Sequence, residues 1–199
     1  MTSFLRAGLW GLGLWCLAVA SQAAEPIQVS VRTEVAVSPL HAWQRMQDFS
    51  AADRYVPKLK RTEIITPQQN GLGASRRVYS DDGDYLEETI IGWDEGQGFT
   101  LRLHRGDKPM APLKRSEFRY EMAPMSNGNT QIKLSILLLM PMGSLGEWLG
   151  NWLVRPSMEQ ELTRIAAGLK HYYETGQRVT EADWERLAVA VEVLPASTD

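Results

Sequence analysis

The sequence predicts an α+β domain: a curved antiparallel sheet closed by one long C-terminal helix. Two observations carry this. Between Ile27 and about Gly176 the chain reads as a strand, a short helical stretch, an unbroken series of strands and a single long helix. The apolar period is two through the strand region and changes to three-and-four from Ser144 onward. A sheet in that order leaves one face for the helix to cover, and the space between them is a natural ligand cavity.

From Ile27 to Val37, the residues Val29, Val31, Thr33, Val35 and Val37 share one face, with Ser30, Arg32 and Glu34 on the other, as in a half-buried strand. Ser38-Pro39 starts a helix, Ser as N-cap and Pro at the first helical position, with Trp43, Met46 and Phe49 on its apolar side. A second short helix or turn spans Ser50 to Pro57. Strands follow at Lys60–Thr66, Ala74–Ser80, Tyr85–Trp93 and Phe99–Arg105, separated by turns at Asn70–Gly73, Asp81–Asp84 and Asp94–Gly98. Asp82-Gly83 suits a hairpin turn that needs positive φ. Gly106–Pro112 reads as a loop, Leu113–Met122 as a strand with Ser116, Phe118, Tyr120 and Met122 on one face, and Thr130–Met140 as the last strand. Leu145, Trp148, Leu149, Trp152, Leu153, Leu162, Ile165, Ala166, Leu169 and Tyr172/Tyr173 then mark an amphipathic helix. Pro156 should kink it or split off its first part, and Gly176 should stop it. Thr180 caps one more short helix towards Val191; the tail after Pro195 reads as disordered.

Residues 1–23 differ from the rest. Arg6 is followed by an uncharged apolar run, Ala7 to Ala20, and by the small residues of Ser21-Gln22-Ala23. This is the pattern of a secretory signal peptide cut near Ala23 or Ala24. A membrane anchor would want about 20 apolar residues, and this run is shorter and glycine-rich. The lone Cys16 lies within it, preceded by Trp15 rather than the small residue a lipoprotein acceptor needs. The mature chain would then hold no cysteine, hence no disulfide, thiolate nucleophile or Cys-ligated metal, and periplasmic export fits. It would carry 20 basic against 24 acidic side chains, a net charge of −4 with histidines neutral. That balance argues against nucleic-acid binding.

Val37-Ser38-Pro39 with Trp43 and Asp48-Phe49, then Gly73 and Arg76 opening a strand, Glu88 with Asp94 six residues on, Pro124, and Leu162 and Leu169 in the closing helix carry a resemblance. In order and spacing, residues 27–176 resemble the START/polyketide-cyclase superfamily, also called SRPBCC or Bet v 1-like. The resemblance implies a helix-grip fold with a deep, mostly apolar pocket. It implies a hydrophobic ligand, such as a lipid, sterol, polyketide, hormone or quinone, and no cofactor. Some members are cyclases or hydratases and many only bind, so fold alone does not give function. The insertion Met140–Asn151 and the extension 177–199 depart from the minimal domain.

Glu88 matches a position that in some relatives reaches the ligand; an inward Arg76 on the neighbouring strand would pair with it. Strand alternation leaves open whether the two face the pocket or form a surface ion pair. Phe118 and Tyr120 read as core or pocket wall, and Tyr79 and Tyr85 as further hydroxyl handles. His104 is either a cavity-facing general base or an exposed strand histidine. His41, His104 and His171 lack metal-ligand spacing, and the aspartates around Gly83 do not match a calcium loop. Trp148 and Trp152 read as helix packing over the sheet mouth, or as a lid or segment that touches membrane during lipid exchange. Lys108, Lys114 and Arg115 would rim a gating loop that carries Met110. Three functional readings follow: an exported carrier of a hydrophobic small molecule or lipid; a cyclase or hydratase using Glu88, His104 or Tyr120; and an envelope interaction module using the tryptophan stripe.

Overall fold

The computed structural model describes residues 25–142 and 150–195, together with Gly146 and Trp148. The expected leader with Cys16, Leu145 and Leu149 of the amphipathic stripe, and the tail after Pro195 lie outside the described residues.

Nine described strands form one antiparallel sheet: β1 (Ile27–Val35), β2 (Leu59–Ile64), β3 (Ser75–Ser80), β4 (Tyr85–Asp94), β5 (Gly98–Arg105), β6 (Lys108–Pro109), β7 (Arg115–Pro124), β8 (Thr130–Leu139) and β9 (Val191–Leu194). Their spatial order is β2-β3-β4-β5-β7-β8-β1-β9, with β6 added to β5. The helices are α1 (Pro39–Met46), α2 (Arg155–Thr175) and α3 (Glu181–Ala188), with a 3₁₀ turn at Ala52–Arg54.

Strand register resolves the faces that alternation left open. Directly opposed residues share a face, and the chain of partners Arg76↔Glu88↔Leu103, Leu101↔Phe118↔Ile136↔Val29 and Phe99↔Tyr120↔Leu134↔Val31 runs across the sheet. All of these but Glu88 are buried, so this is the inner face. It faces α2, which buries Leu162, Ile165, Ala166, Leu169, Tyr172 and Tyr173. Each large apolar side chain so buried is worth about 1.5–3 kcal/mol.

Helix ends follow the sequence signals. The Ser38 hydroxyl accepts from the His41 N–H, with Pro39 in the first turn of α1. Gly176 closes α2 at φ 76°, its N–H donating to the Tyr172 carbonyl at 2.8 Å. Pro156 lies in the first turn of α2, and a wide π turn spans Gly150–Val154 before it. Proline has no N–H to return to the Trp152 carbonyl four residues back, so the helix changes pitch here.

The end of the chain holds an element the sequence reading missed. Thr180 and Asp183 form a capping box at the start of α3. The chain then turns and adds β9 antiparallel to β1, with Arg32 and Glu192 paired at 2.6 Å. A four-residue Val-Glu-Val-Leu stretch behind a helical pattern is too short to declare itself a strand.

Candidate functional site

Three places in the fold gather the residues singled out by sequence. The first is a buried polar cluster on the inner face. Arg76 is 1 % exposed, and its Nε donates to Glu88 Oε2 at 2.5 Å. Its Nη1 donates to the Phe49 carbonyl at 2.7 Å, and its guanidinium lies 4.2 Å from the centre of the Phe49 ring. Tyr55 donates to Tyr120 at 3.2 Å beside this pair. Burial pushes the Tyr55 and Tyr120 hydroxyls above the ordinary phenol range. Burial also works to lower the Arg76 pKa, but Glu88 and the two phenols outweigh it and the net shift is upward. The cluster therefore holds a fixed cation and two neutral phenols.

Glu88 keeps 13 % side-chain exposure. It sits two residues along β4 from Leu86, whose partner is Val78. These two apolar residues line the second place, a cavity of ≈ 530 Å³ at the sheet end where β3 finishes and β4 begins. Leu59, Pro109, Met110 and Ala111 complete its apolar wall, and Arg105, Lys108 and Asp84 stand at its edge. The loop that carries Met110 thus supplies part of the cavity wall. None of Arg76, Glu88, His104, Phe118, Tyr120, Trp148 and Trp152 is among its lining residues.

The third place is on the opposite face of the sheet, and it corrects the reading of His104. Its register partner is Glu87, not Glu88. The His104 Nδ1 lies 2.7 Å from the Gly106 carbonyl and its Nε2 2.8 Å from the Thr89 hydroxyl. Glu87 accepts from Arg77 at 2.6 Å and from the Gly106 N–H at 2.8 Å. The hydrogen bond from Arg77 is the main cause that holds the Glu87 carboxyl below its usual range. His104 is neither a cavity base nor an exposed strand histidine: it is a buried strut of the outer face. Glu88, His104 and Tyr120 therefore do not converge in one pocket. Tyr79 and Tyr85 also lie on the outer face, where Arg61 and Arg77 cover their rings at 3.9 and 4.6 Å.

Trp148 and Trp152 do not pack over the sheet mouth. They are 61 % and 67 % exposed, and their rings stack with centroids 6.2 Å apart. The helix turns its other side inward: Gly150 is buried against Ile27 and Met140.

Tyr55 and the Phe49 carbonyl were absent from the sequence reading. Both lie in irregular chain after α1, where no periodicity marks a side chain as inward. Among the described residues no group of three or more His, Cys, Asp or Glu is placed to hold a metal ion.

A helix-grip fold with an apolar cavity at one end of its sheet defines the class. The chain belongs to the family described as polyketide cyclase / dehydrase and lipid transport, which matches residues 26–174. No curated protein matches it significantly. Among solved structures it is similar to Ara h 8.0201, at 17 % identity and TM-score 0.56, covering 74 % of this chain and 97 % of that one. It is also similar to a protein of Nitrosospira multiformis (13 % identity, TM-score 0.55, 75 % and 98 % covered). XoxI of Bacillus cereus is a third (14 % identity, TM-score 0.53, 73 % and 94 % covered). At these identities the structures establish the fold alone. Family and fold together support a hydrophobic-ligand-binding role.

Proposed function

We propose that the protein is a carrier of a hydrophobic small molecule or lipid and that it works outside the cytoplasm. One observation carries the binding part. The ≈ 530 Å³ cavity is walled by Leu59, Val78, Leu86 and Met110 and edged by Lys108 and by Arg105 paired with Asp84. That size falls within the roughly 300–1,000 Å³ of small-molecule sites. Its pattern, an apolar wall with charges of both signs at one side, suits an amphiphile with a polar head. Export rests on the leader pattern of Arg6, the Ala7–Ala20 run and Ser21-Gln22-Ala23. The cyclase or hydratase reading loses support, because His104 lies across the sheet from Glu88 and Tyr120.

Native mass spectrometry of the protein recovered from its own cells, followed by organic extraction, tests the proposal. A stoichiometric apolar species that disappears in Leu86→Trp, which fills the cavity, is the expected result. A protein that copurifies with no such species and takes up none from a panel of fatty acids, sterols and quinones would refute it.

A further inference from the structure

We infer that the stacked Trp148/Trp152 pair is a membrane-docking surface, which seats the cavity end of the sheet on a phospholipid bilayer while ligand enters or leaves. The inference deepens the carrier reading and rests on it.

Topology supplies the first argument. β1 begins, β8 ends, β7 begins, β5 ends, β4 begins and β3 ends on one edge of the sheet, as the pairs Ile27↔Leu138, Arg115↔Leu139, Glu87↔His104 and Tyr79↔Tyr85 require. The cavity lies at that edge, with Ser80, Asp84, Tyr85 and Lys108–Ala111 among its lining residues. The chain carrying the tryptophans leaves β8 from the same edge. It is pinned there by Gly150 against Ile27 and by Arg155, whose Nη1 donates to the Gln28 carbonyl at 2.9 Å. The two features are bridged by the loop between β6 and β7, where the Lys114 N–H donates to the Leu139 carbonyl at 2.9 Å.

Chemistry supplies the second. Trp148, Trp152, Leu153 and Met142 are all more than half exposed. Such a group is costly in water unless something covers it. Tryptophan pairs an apolar ring with an N–H donor, which suits the headgroup boundary of a bilayer. Lys108 and Lys114, which have no carboxylate partner among the described residues, stand exposed on the same edge. They complement anionic headgroups. Asp107 stands beside Lys108 and tempers that charge, so the tryptophans carry the contact. No described helix is long and apolar enough to cross a membrane.

The test uses the full-length gene product in the form its host leaves it, with the N-terminus fixed by mass, and compares variants that share that form. Any retained leader then contributes equally. Flotation with vesicles of phosphatidylcholine and a minority of phosphatidylglycerol reads docking, and enhancement of an anilinonaphthalene dye reads the cavity. Trp148→Ser/Trp152→Ser should lose vesicle partitioning by on the order of tenfold or more. Trp148→Tyr/Trp152→Tyr, which keeps an aromatic ring with a polar tip, should retain most of it. Dye binding should be unchanged in both, and Leu86→Trp should show the converse. Equal flotation of wild type and the serine variant would overturn the inference, as would a tryptophan-dependent dimer that ignores vesicles. Loss of dye binding in wild type would instead overturn the carrier reading.

Discussion

Glu88→Gln tests whether the Arg76–Glu88 pair holds the fold or waits for a ligand. The substitution keeps the side-chain volume and removes one charge. Arg76 is 1 % exposed and would keep its charge with only neutral acceptors, the amide oxygen at position 88 and the Phe49 carbonyl at 2.7 Å. At an effective dielectric of about 20, two charges roughly 4 Å apart attract by about 4 kcal/mol. Breaking one side of a buried pair costs about 3–5 kcal/mol for the same reason. A domain of this size loses about 2–4 °C of Tm per kcal/mol, so the expected fall is roughly 6–20 °C. Arg76→Met/Glu88→Leu should recover much of it, since an apolar replacement of a buried pair is often neutral or better. Calorimetry on wild type, Arg76→Met, Glu88→Leu and the double variant gives the coupling directly. A Tm within about 2 °C of wild type for Glu88→Gln would refute the argument, and would mean that water reaches the guanidinium despite its burial.

Gly168→Ala should destabilise by about 1–3 kcal/mol, because its Cβ would stand 2.1 Å from the Tyr55 carbonyl oxygen; an unchanged denaturation midpoint would contradict this. Thr180→Ala should cost about 0.5–2 kcal/mol as a lost cap and raise hydrogen exchange through residues 181–194 first. Hydrogen bonds, first from Arg186 and then from Thr180, hold the Asp183 carboxyl below its usual range. A depressed folded pKa contributes stability above the unfolded value of about 3.9, lost as pH falls through the folded value. Exchange protection in α3, taken relative to the intrinsic amide rate, should therefore fall below about pH 4 in wild type and fall less in Asp183→Asn. Ending the chain after Ala190 removes β9 and bares the β1 edge, and should give concentration-dependent association on gel filtration; a monomer of unchanged Tm would show that β9 protects nothing.

The fold was legible because its signals are local. Ser38-Pro39, Gly83, Gly176 and the clean alternation of Ser116, Phe118, Tyr120 and Met122 each declare an element from a few residues. The site was much less so. Glu87 and Glu88 are adjacent and chemically alike, and only the register Arg76↔Glu88 and Glu87↔His104 sends one inward and the other out. Burial of His104 depends on the Gly106 carbonyl and Thr89, which a one-strand pattern does not contain. The cavity is assembled from β2, β3, β4 and the loop 106–111, whose loop residues carry no period at all. The tryptophan stripe was visible as a stripe, but a 3.6-residue period looks the same whether its apolar side turns to a core or to solvent.

The position of β1 governs when the sheet can exist. Among the described strands β1 pairs with β8 and β9 alone, so Ile27 waits for Leu138 and Ser30 for Leu194. Such pairings close very long loops, which makes them slow relative to local hairpins such as β3–β4. During synthesis the β2–β5 hairpins can form early, while β1 stays an unpaired apolar strand until β8 has emerged. The sheet cannot be completed before β8 and then β9 have been made, and in that interval β1 is the segment most in need of a chaperone.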